Sequence, residues 1–355
     1  MPEHFWGDDS PNGIKQLPLP DPLAGAGSRI TKSHSIRIEG DVASEAAAIR
    51  YLKDPNRSDQ PWALCVGFIA PHFPFVVPEP YFSMYYPENV DLPNIPNGHI
   101  DNLPPAAKRL REAFGIYQHS TNEILRARAA YYGQITWMDE KIGNLIDTID
   151  EQGLSENTVV VYTSDHGESL GEHGLWRKNT FYEQASRVPL QIKWPSTITG
   201  SQRIKELVSL VDLTHTILEL AGLSEEERNT WAMDGNSLMP LIEGTSKNWE
   251  NKVFCEYEGH GTDRARAMIR SDQWKLSYGH GHPPELELYN LDTDPGEFIN
   301  LSDDPAYLDV REELLNHLLS NWDPDQITES VIKSQNARHI IKAQNSNADK
   351  NLTGL

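Results

Sequence analysis

The residues best suited to chemistry in this sequence follow apolar runs that are typical of buried strands. Asp165 and His166 come directly after the run VVVYTS, and His72 lies just beyond the run ALCVGFIA. Ligands of open α/β sheets bind beyond the carboxyl ends of the strands, because loops and helix N-termini converge there. We therefore expect these three side chains to share a site, and a basic residue, Lys178, follows in the same stretch.

The Asp165-His166 pair has two interpretations. An aspartate followed by a histidine can offer an oxygen and a nitrogen donor to one divalent cation when both lie in the turn that leaves a strand. In the alternative, Asp165 caps the following turn and His166 lies at the surface. For an isolated pair the structural interpretation is favoured, so the decision depends on the flanking sequence.

The flanking sequence resembles the type I sulfatase family of the alkaline-phosphatase-like superfamily. The segment that carries the resemblance is SDHGESLGEHGLWRKNTFYEQASRVPL. Its Asp165-His166 pair matches the family's Asp-Asn or Asp-His metal ligands, and Lys178 matches the sulfate-contacting lysine of a G-x(n)-K-x-T-x-Y-E motif. His72 matches the histidine of the family's P-H-x-P loop, which faces the sulfate ester. Glu168, Glu172 and His173 are interpreted as loop-orienting or solvent-facing residues.

The resemblance covers nearly all of the chain, and its motifs occur in the family's order. Within the family, the segment around Lys178 and the tail NWDPDQITESVIKSQNARHIIKAQ look most like choline-sulfatase-type members. The resemblance implies hydrolysis of sulfate monoesters with a divalent metal and a formylglycine nucleophile. Calcium is the metal that it implies, with manganese as the alternative, because imidazole suits manganese or zinc better than calcium.

The chemistry of a sulfate monoester agrees with these roles. Negative charge spreads over the oxygens as the S–O bond breaks, so catalysis needs fixed positive groups, which a metal at Asp165 and His166 and the ammonium of Lys178 would supply. An imidazole such as that of His72 can protonate the departing alkoxide.

Two parts of the family's active site are missing from these 355 residues. Formylglycine is made from the cysteine of a C-x-P/A-x-R motif, and neither Cys65 nor Cys255 begins one. The family's first strand also supplies two metal-binding aspartates, whereas Asp8 and Asp9 follow no apolar run. We expect the chain to begin just after these parts and to be an incomplete catalytic domain. The alternatives are a non-catalytic remnant or anion-binding module, and a phosphate or phosphonate ester hydrolase of the same superfamily.

Strand-like and helical segments alternate along the chain, which predicts an α/β fold, an α/β/α sandwich with a mostly parallel sheet. Trp62–Ala70 is predicted as a strand buried on both faces, with Cys65 as a buried structural thiol. Helices are predicted at residues 44–54 and from Asn122 to a stop at Gly153. Residues 73–105, rich in proline and aromatic residues, are expected to form an ordered loop over the site.

The pattern changes near residue 247, where short strands, turns and a helix replace the alternation. It predicts a small C-terminal α+β subdomain over residues 248–322, after a sulfatase-like domain over 1–247. A polar tail, residues 323–355, follows. Before this boundary, LVSLVDLTHTILELAG is predicted as a strand that turns at Asp212 into a helix.

Composition limits the partners. A formal net charge of −21 argues against nucleic acid. No run approaches the roughly 18 apolar residues of a membrane span, so no membrane insertion is expected. A small-molecule or carbohydrate sulfate ester is the expected partner, and the aromatic loop suits a quaternary ammonium group. Two cysteines are too few for a disulfide framework. A cytoplasmic or periplasmic location and a homo-oligomeric state stay open.

Overall fold

The structure is a computed structural model that describes residues 32–57, 60–116, 119–198, 200–259 and 264–352. Asp8 and Asp9 lie outside these residues. The chain forms two compact units that interleave along the sequence. The first contains the described residues up to Leu103, Leu110–Lys178 and Gln184–Gln202, and the second contains Pro104–Arg109, Asn179–Glu183 and the described residues from Arg203. The domain boundaries predicted at residues 247 and 322 stay predictions.

The helices are α1 (Lys32–Leu52), α2 (Glu79–Ser83), α3 (Pro105–Ala113), α4 (Thr121–Glu151), α5 (Glu183–Ser186), α6 (Leu210–Leu220), α7 (Glu225–Arg228), α8 (Met239–Ile242), α9 (Leu308–Asn321) and α10 (Pro324–Leu352). The strands are β1 (Val160–Thr163), β2 (Leu190–Lys193), β3 (Lys252–Tyr257), β4 (Arg266–Ser271), β5 (Trp274–Gly279) and β6 (Glu285–Asn290). No helix in the described ranges has the length and apolarity needed to cross a membrane.

The long helix α4 organises the first unit, in contact with α1 and α2. The Ser120 hydroxyl accepts the Glu123 N–H at 3.3 Å, and the Glu123 carboxylate accepts the Ser120 N–H at 2.7 Å, which closes a capping box. Gly133 allows the close approach of α2, because a Cβ there would lie 2.8 Å from the carbonyl oxygen of Tyr81. The sequence places this helix well, and Gly153, with φ of 67°, stops it as predicted.

The segment Trp62–Ala70 is not the buried strand that the sequence predicts. It has no strand partner among the described residues. Leu64 is 39% exposed, Ile69 is 47% exposed and the Cys65 thiol is exposed, so the prediction of a buried thiol is wrong as well. An apolar run becomes a buried strand only where neighbouring strands and covering layers supply its contacts, which the run cannot specify by itself.

Sheet pairing also differs from the expected parallel pattern. Helices and sheets together give the mixed α/β chain that the sequence predicts, but β1 and β2 pair antiparallel, with Val160 opposite Lys193 and Thr163 opposite Leu190. The other sheet, β3-β4-β5-β6, is antiparallel throughout. Parallel pairing with β1 would need a neighbouring crossover strand, and Trp62–Ala70 does not pair with it.

The strand predicted before Asp212 is wrong for a local reason. Ser209 caps α6 directly, because the Asp212 carboxylate accepts the Ser209 N–H at 2.7 Å. The same carboxylate accepts the Asn236 N–H at 2.8 Å. An acidic residue three positions after a serine therefore marks the beginning of this helix at Leu210.

The second unit contains an antiparallel meander, β3 to β6, that packs on α9. Its core contains apolar side chains of β4, β5, β6, α9 and the residues just outside them, including Ala265, Ala267, Ile269, Leu276, Tyr278, Leu288, Leu314, Leu318 and Trp322. Alternation along each strand directs these side chains to the helix-covered face. The Trp322 indole N–H donates to Glu256 at 2.8 Å, which joins the end of α9 to β3.

A cluster of buried charges lies in the second unit. The Lys275 ammonium, with a side chain 1% exposed, is 3.0 Å from the Glu183 carboxylate and 2.7 Å from that of Glu297. Arg270 is 3.0 Å from the other oxygen of Glu183. Burial raises the pKa of Glu297, although Lys275 opposes the rise. The cluster anchors Glu183, the last residue of the KNTFYE segment, to β4 and β5.

We predict that Lys275→Met lowers the free energy of unfolding by about 3–5 kcal/mol, because it leaves the buried Glu297 carboxylate without its cation and Glu183 with Arg270 alone. Lys53→Met is the matched control. Lys53 pairs with Glu151 at 3.0 Å, with side chains 47% and 61% exposed, and such surface pairs contribute about 0–1 kcal/mol. Urea denaturation measures both changes. Equal losses in the two variants would contradict the assignment of the stabilisation to the buried cluster.

Candidate functional site

His72 and Lys178 meet although they are 106 positions apart in sequence. The Lys178 ammonium donates to His72 Nε2 at 2.6 Å. His72 Nδ1 lies 2.7 Å from the carbonyl oxygen of Phe73, an acceptor only, so this nitrogen carries the proton and Nε2 presents its lone pair to the lysine. Two residues that the sequence predicts for one site are therefore in direct contact.

Asp165 and His166 lie in the turn that follows β1. His166 Nδ1 is 2.8 Å from the Gly167 carbonyl oxygen, which assigns its proton to Nδ1 and leaves the Nε2 lone pair available. His166 Nε2 is 3.6 Å from Asp165 Oδ2, and the Asp165 side chain is 85% exposed. The rings of His166 and His72 lie edge to face with centroids 6.0 Å apart. The pair is thus adjacent to the His72–Lys178 contact.

The donor chemistry of Asp165 and His166 fits two positions of a divalent cation. The histidine offers an oriented Nε2 lone pair, held from behind by a backbone carbonyl as metal-binding imidazoles usually are. The carboxylate lies close enough for both groups to face one ion. Within the described ranges, no group of three or more His, Cys, Asp or Glu side chains forms a fuller metal cage. The residues therefore fit part of a metal site.

Glu168 shapes the loop that leads to Lys178. Its Oε1 accepts the N–H of Leu170 at 3.2 Å and also the N–H of Arg177. Burial raises the pKa of Glu168, although these hydrogen bonds and Lys178 oppose the rise. The Ser169 N–H donates to the Arg177 carbonyl at 2.8 Å and closes the loop. Glu168 orients the loop, in agreement with its interpretation from the sequence.

The long loop after His72 is joined to the Lys178 loop by Arg128 of α4. Arg128 is 4% exposed and donates to the Leu170 carbonyl at 2.8 Å, to Glu172 at 3.1 Å and to Asp91 at 2.9 Å. Although burial opposes the shift, hydrogen bonds from Tyr132 and Arg128 hold the pKa of Asp91 below its ordinary value. The loop is therefore ordered, as predicted, and tied to the segment that carries Lys178.

A histidine pair adds to this connection. His99 Nε2 lies 2.9 Å from His173 Nδ1, and His173 is 1% exposed. Arg111 donates to the Gly174 carbonyl oxygen, and the Asn94 N–H donates to Glu172 at 3.2 Å. His173 and Glu172 therefore orient the loop rather than carry chemistry.

The sequence prediction missed three residues that the structure connects to the site. Arg128 is one, and its position between alanines at 127, 129 and 130 carries no local pattern that marks the contacts it makes. Arg177 is another, with its guanidinium 4.0 Å from the centroid of the Phe73 ring. Asp41 is the third, and it accepts backbone N–H groups just before His72. No sequence pattern distinguishes Asp41 from a surface acid of an amphipathic helix.

Comparison with known proteins places these features in a family. The chain matches the sulfatase family model over residues 41–223 and the model described as N-sulphoglucosamine sulphohydrolase, C-terminal, over residues 171–323. The first match covers more than half of the chain and includes all four predicted site residues. The chain belongs to the sulfatase family.

The proteins that this chain resembles are named for different ester hydrolases. A choline-sulfatase of Rhizobium meliloti (strain 1021) is 31% identical over 81% of this chain and 56% of its own length. The multifunctional alkaline phosphatase superfamily protein PehA of Trinickia caryophylli is 31% identical over 78% of this chain and 59% of its own. The structure of a phosphonate monoester hydrolase from Silicibacter pomeroyi is 27% identical, with a TM-score of 0.68 over 78% of this chain and 59% of that one.

These similarities confirm the predicted sulfatase-type α/β fold class. The chain spans a little over half the length of the relatives that it matches.

We predict that Arg128→Met loosens the two joined loops, because Asp91, Glu172 and the Leu170 carbonyl lose their shared donor. The free energy of unfolding should fall by about 2–4 kcal/mol. Amide hydrogen exchange should accelerate in residues 91–102 and 168–178.

The matched control for this prediction is Lys141→Met, also on α4. Lys141 pairs with Glu45 at 3.0 Å, with both side chains 11% exposed, and contacts neither loop in that pairing. It should lower stability without accelerating exchange in the loops. Unchanged exchange in both loops of Arg128→Met would show that Arg128 does not join them.

Proposed function

We propose that this chain carries the sulfate-binding and leaving-group side of a sulfuric ester hydrolase. The observation that carries the proposal is the 2.6 Å contact between Lys178 Nζ and His72 Nε2. It places a permanent cation and an imidazole of fixed tautomer at one point, beside the Asp165-His166 pair. A monoester anion bound there would have its charge matched by Lys178 and its bridging oxygen within reach of an acid.

The two side chains have separate roles in this proposal. The Lys178 ammonium binds a non-bridging oxygen of the sulfate, where charge develops as the S–O bond breaks. His72 keeps its Nδ1 proton on the Phe73 carbonyl, so Nε2 is the nitrogen that faces the ester. In the structure Nε2 accepts from Lys178; once the sulfate takes up that ammonium, Nε2 would bind a proton from water and deliver it to the departing alkoxide. These roles account for binding and for protonation of the alcohol.

Asp165 and His166 are the residues that would hold a divalent cation. One carboxylate oxygen and His166 Nε2 would bind it, and the ion would neutralise charge on the sulfate oxygens. We propose calcium, which prefers oxygen ligands, with manganese as the alternative favoured by the imidazole. The nucleophile implied by the family is formylglycine, whose motif does not occur in the 355 residues.

The proposed substrate is a small-molecule or carbohydrate sulfate monoester. The choline-sulfatase similarity favours a quaternary ammonium alcohol, and the aromatic residues of the loop after His72 could contact such a group by cation–π interaction. The centroid of the Phe73 ring already lies 4.0 Å from the Arg177 guanidinium carbon and 5.7 Å from Lys178 Nζ. A choline group would therefore have to use other aromatic residues of this loop.

A second candidate function is hydrolysis of phosphonate or phosphate monoesters. The similarity to the phosphonate monoester hydrolase and to PehA favours it. These esters present the same tetrahedral anion to Lys178, so the described residues do not separate the two chemistries. The sulfatase family match and the choline-sulfatase similarity favour the sulfate ester.

We expect the purified 355-residue chain to show no hydrolysis of 4-nitrophenyl sulfate with calcium or manganese, because the nucleophile motif is absent. Release of 4-nitrophenol, followed by absorbance, is the measurement. 4-Nitrophenyl phosphate and phenylphosphonate esters serve as parallel substrates. Sulfate ester hydrolysis that Asp165→Ala abolishes would contradict this expectation and show a complete site in this chain.

We also expect the chain to bind the sulfate anion through Lys178. Inorganic sulfate and methyl sulfate should shift the imidazole nitrogen signals of His72 in an NMR titration. Lys178→Met should weaken this binding at least about ten-fold, since hydrogen bonds to charged groups contribute roughly 1.5–3 kcal/mol. Lys53→Met, a surface substitution in the same unit, should leave it unchanged. Equal affinity in the Lys178 variant and the wild type would refute the proposed sulfate contact.

A further inference from the structure

Asp41 of α1 lies against the segment that carries His72. Its Oδ1 accepts the Ile69 N–H at 2.7 Å and its Oδ2 accepts the Ala70 N–H at 2.9 Å. The side chain is buried, with Asp41 only 2% exposed. Each carboxylate oxygen thus accepts a hydrogen bond from one of two consecutive backbone N–H groups.

These hydrogen bonds take the place of strand pairing. The segment Trp62–Ala70 pairs with no strand among the described residues, so nothing in a sheet ladder fixes its end. Backbone N–H groups near the interior require acceptors, and hydrogen bonds to a carboxylate are stronger than neutral ones. Asp41 therefore fixes the position at which the segment ends.

The fixed end leads directly to His72. The His72 N–H donates to the Ile69 carbonyl at 2.9 Å, so the residue that Asp41 holds also closes the turn. Packing does not fill the space beside the turn, where a small open pocket of about 20 Å³ is lined by Asp41, Ala70, His72 and Trp137. The turn thus depends on its hydrogen bonds for position.

A small displacement of this turn would change the contact that His72 makes through its Nε2 atom. Its Nε2 meets the Lys178 ammonium at 2.6 Å, and a shift of about 1 Å would take that contact out of optimal range. A chain of contacts therefore leads from the Asp41 carboxylate through the Ile69–His72 turn to the imidazole.

We propose that Asp41 is a positioning residue that holds His72 in register with Lys178. This inference rests on the proposed function for its consequence, weaker binding of the ester, but its geometric part concerns His72 alone. Asp41 does not contact the anion in this proposal and acts only through the backbone.

The test compares Asp41→Asn with Glu45→Gln in the full chain. Glu45 is the matched control, because it is a buried carboxylate one turn further along α1, 8% exposed, and bonds Lys141 and Asn144 of α4 instead of the His72 segment. Long-range ¹H–¹⁵N NMR spectra of the imidazoles report the His72 tautomer and the hydrogen bond at Nε2. Titration with inorganic sulfate reports binding.

Asp41→Asn keeps one acceptor oxygen and loses the other, so the turn should move and shift the His72 Nε2 signal. Sulfate binding should weaken about ten-fold, because the displaced His72 no longer positions the Lys178 contact with the anion. Glu45→Gln should lower stability and leave both readouts unchanged. In a Lys178→Met background, Asp41→Asn should add little to the loss of sulfate binding, because the two residues act on one contact.

Unchanged His72 signals in Asp41→Asn would overturn the proposal, whatever the change in stability. If Asp41→Asn does not fold, Asp41→Glu decides, because it keeps the charge and displaces the carboxylate by one methylene. It should shift the His72 signals, and unchanged signals would refute the role. If the wild-type chain binds no sulfate, the proposed function fails, while the His72 spectra still test Asp41.

Discussion

The contact between the Lys178 ammonium and the His72 imidazole places strict demands on the rest of the first unit. A hydrogen bond of 2.6 Å between side chains 106 positions apart requires that both backbone segments be held to within a fraction of an ångström. Neither segment belongs to a regular element, since His72 lies in a turn and Lys178 in a loop. Their precision must come from side chains that bond the backbone.

Buried carboxylates supply much of that precision. Asp41 accepts two N–H groups just before His72, and Glu168 accepts two within the loop that leads to Lys178. Arg128 performs the complementary task with its guanidinium, which bonds one carbonyl and two carboxylates from the two loops. In the second unit, the Lys275 ammonium forms ion pairs with the carboxylates of Glu183 and Glu297. In the first unit, charged groups that each bond two or more partners hold the backbone where the chain leaves its regular elements.

The proposed metal-binding pair has only part of the ligand set that a divalent cation needs. Asp165 and His166 stand side by side, and the histidine is held with its Nε2 lone pair available. Hard cations require six or more oxygen donors in a preformed cage, and two side chains meet only part of that requirement. This chain spans a little over half the length of the relatives it matches.

The sequence by itself determined the elements with strong local signals and indicated the candidate site residues. The capping box at Ser120, the apolar period of α4 and the stop at Gly153 are local features, so α4 was predictable to within a residue at its beginning. The Asp165-His166 and Lys178 motifs were likewise recognisable, because residue type and spacing define them.

Only the tertiary structure decided which backbone groups those residues depend on. Trp62–Ala70 has the composition of a buried strand, yet its burial and pairing depend on neighbours that the run does not encode. Asp41 and Arg128 have no distinguishing local pattern, because their roles arise from contacts with segments 28 to 44 positions away. Local propensity follows from each residue and its immediate neighbours, whereas hydrogen-bond partners of buried charges are set by the packing of distant segments.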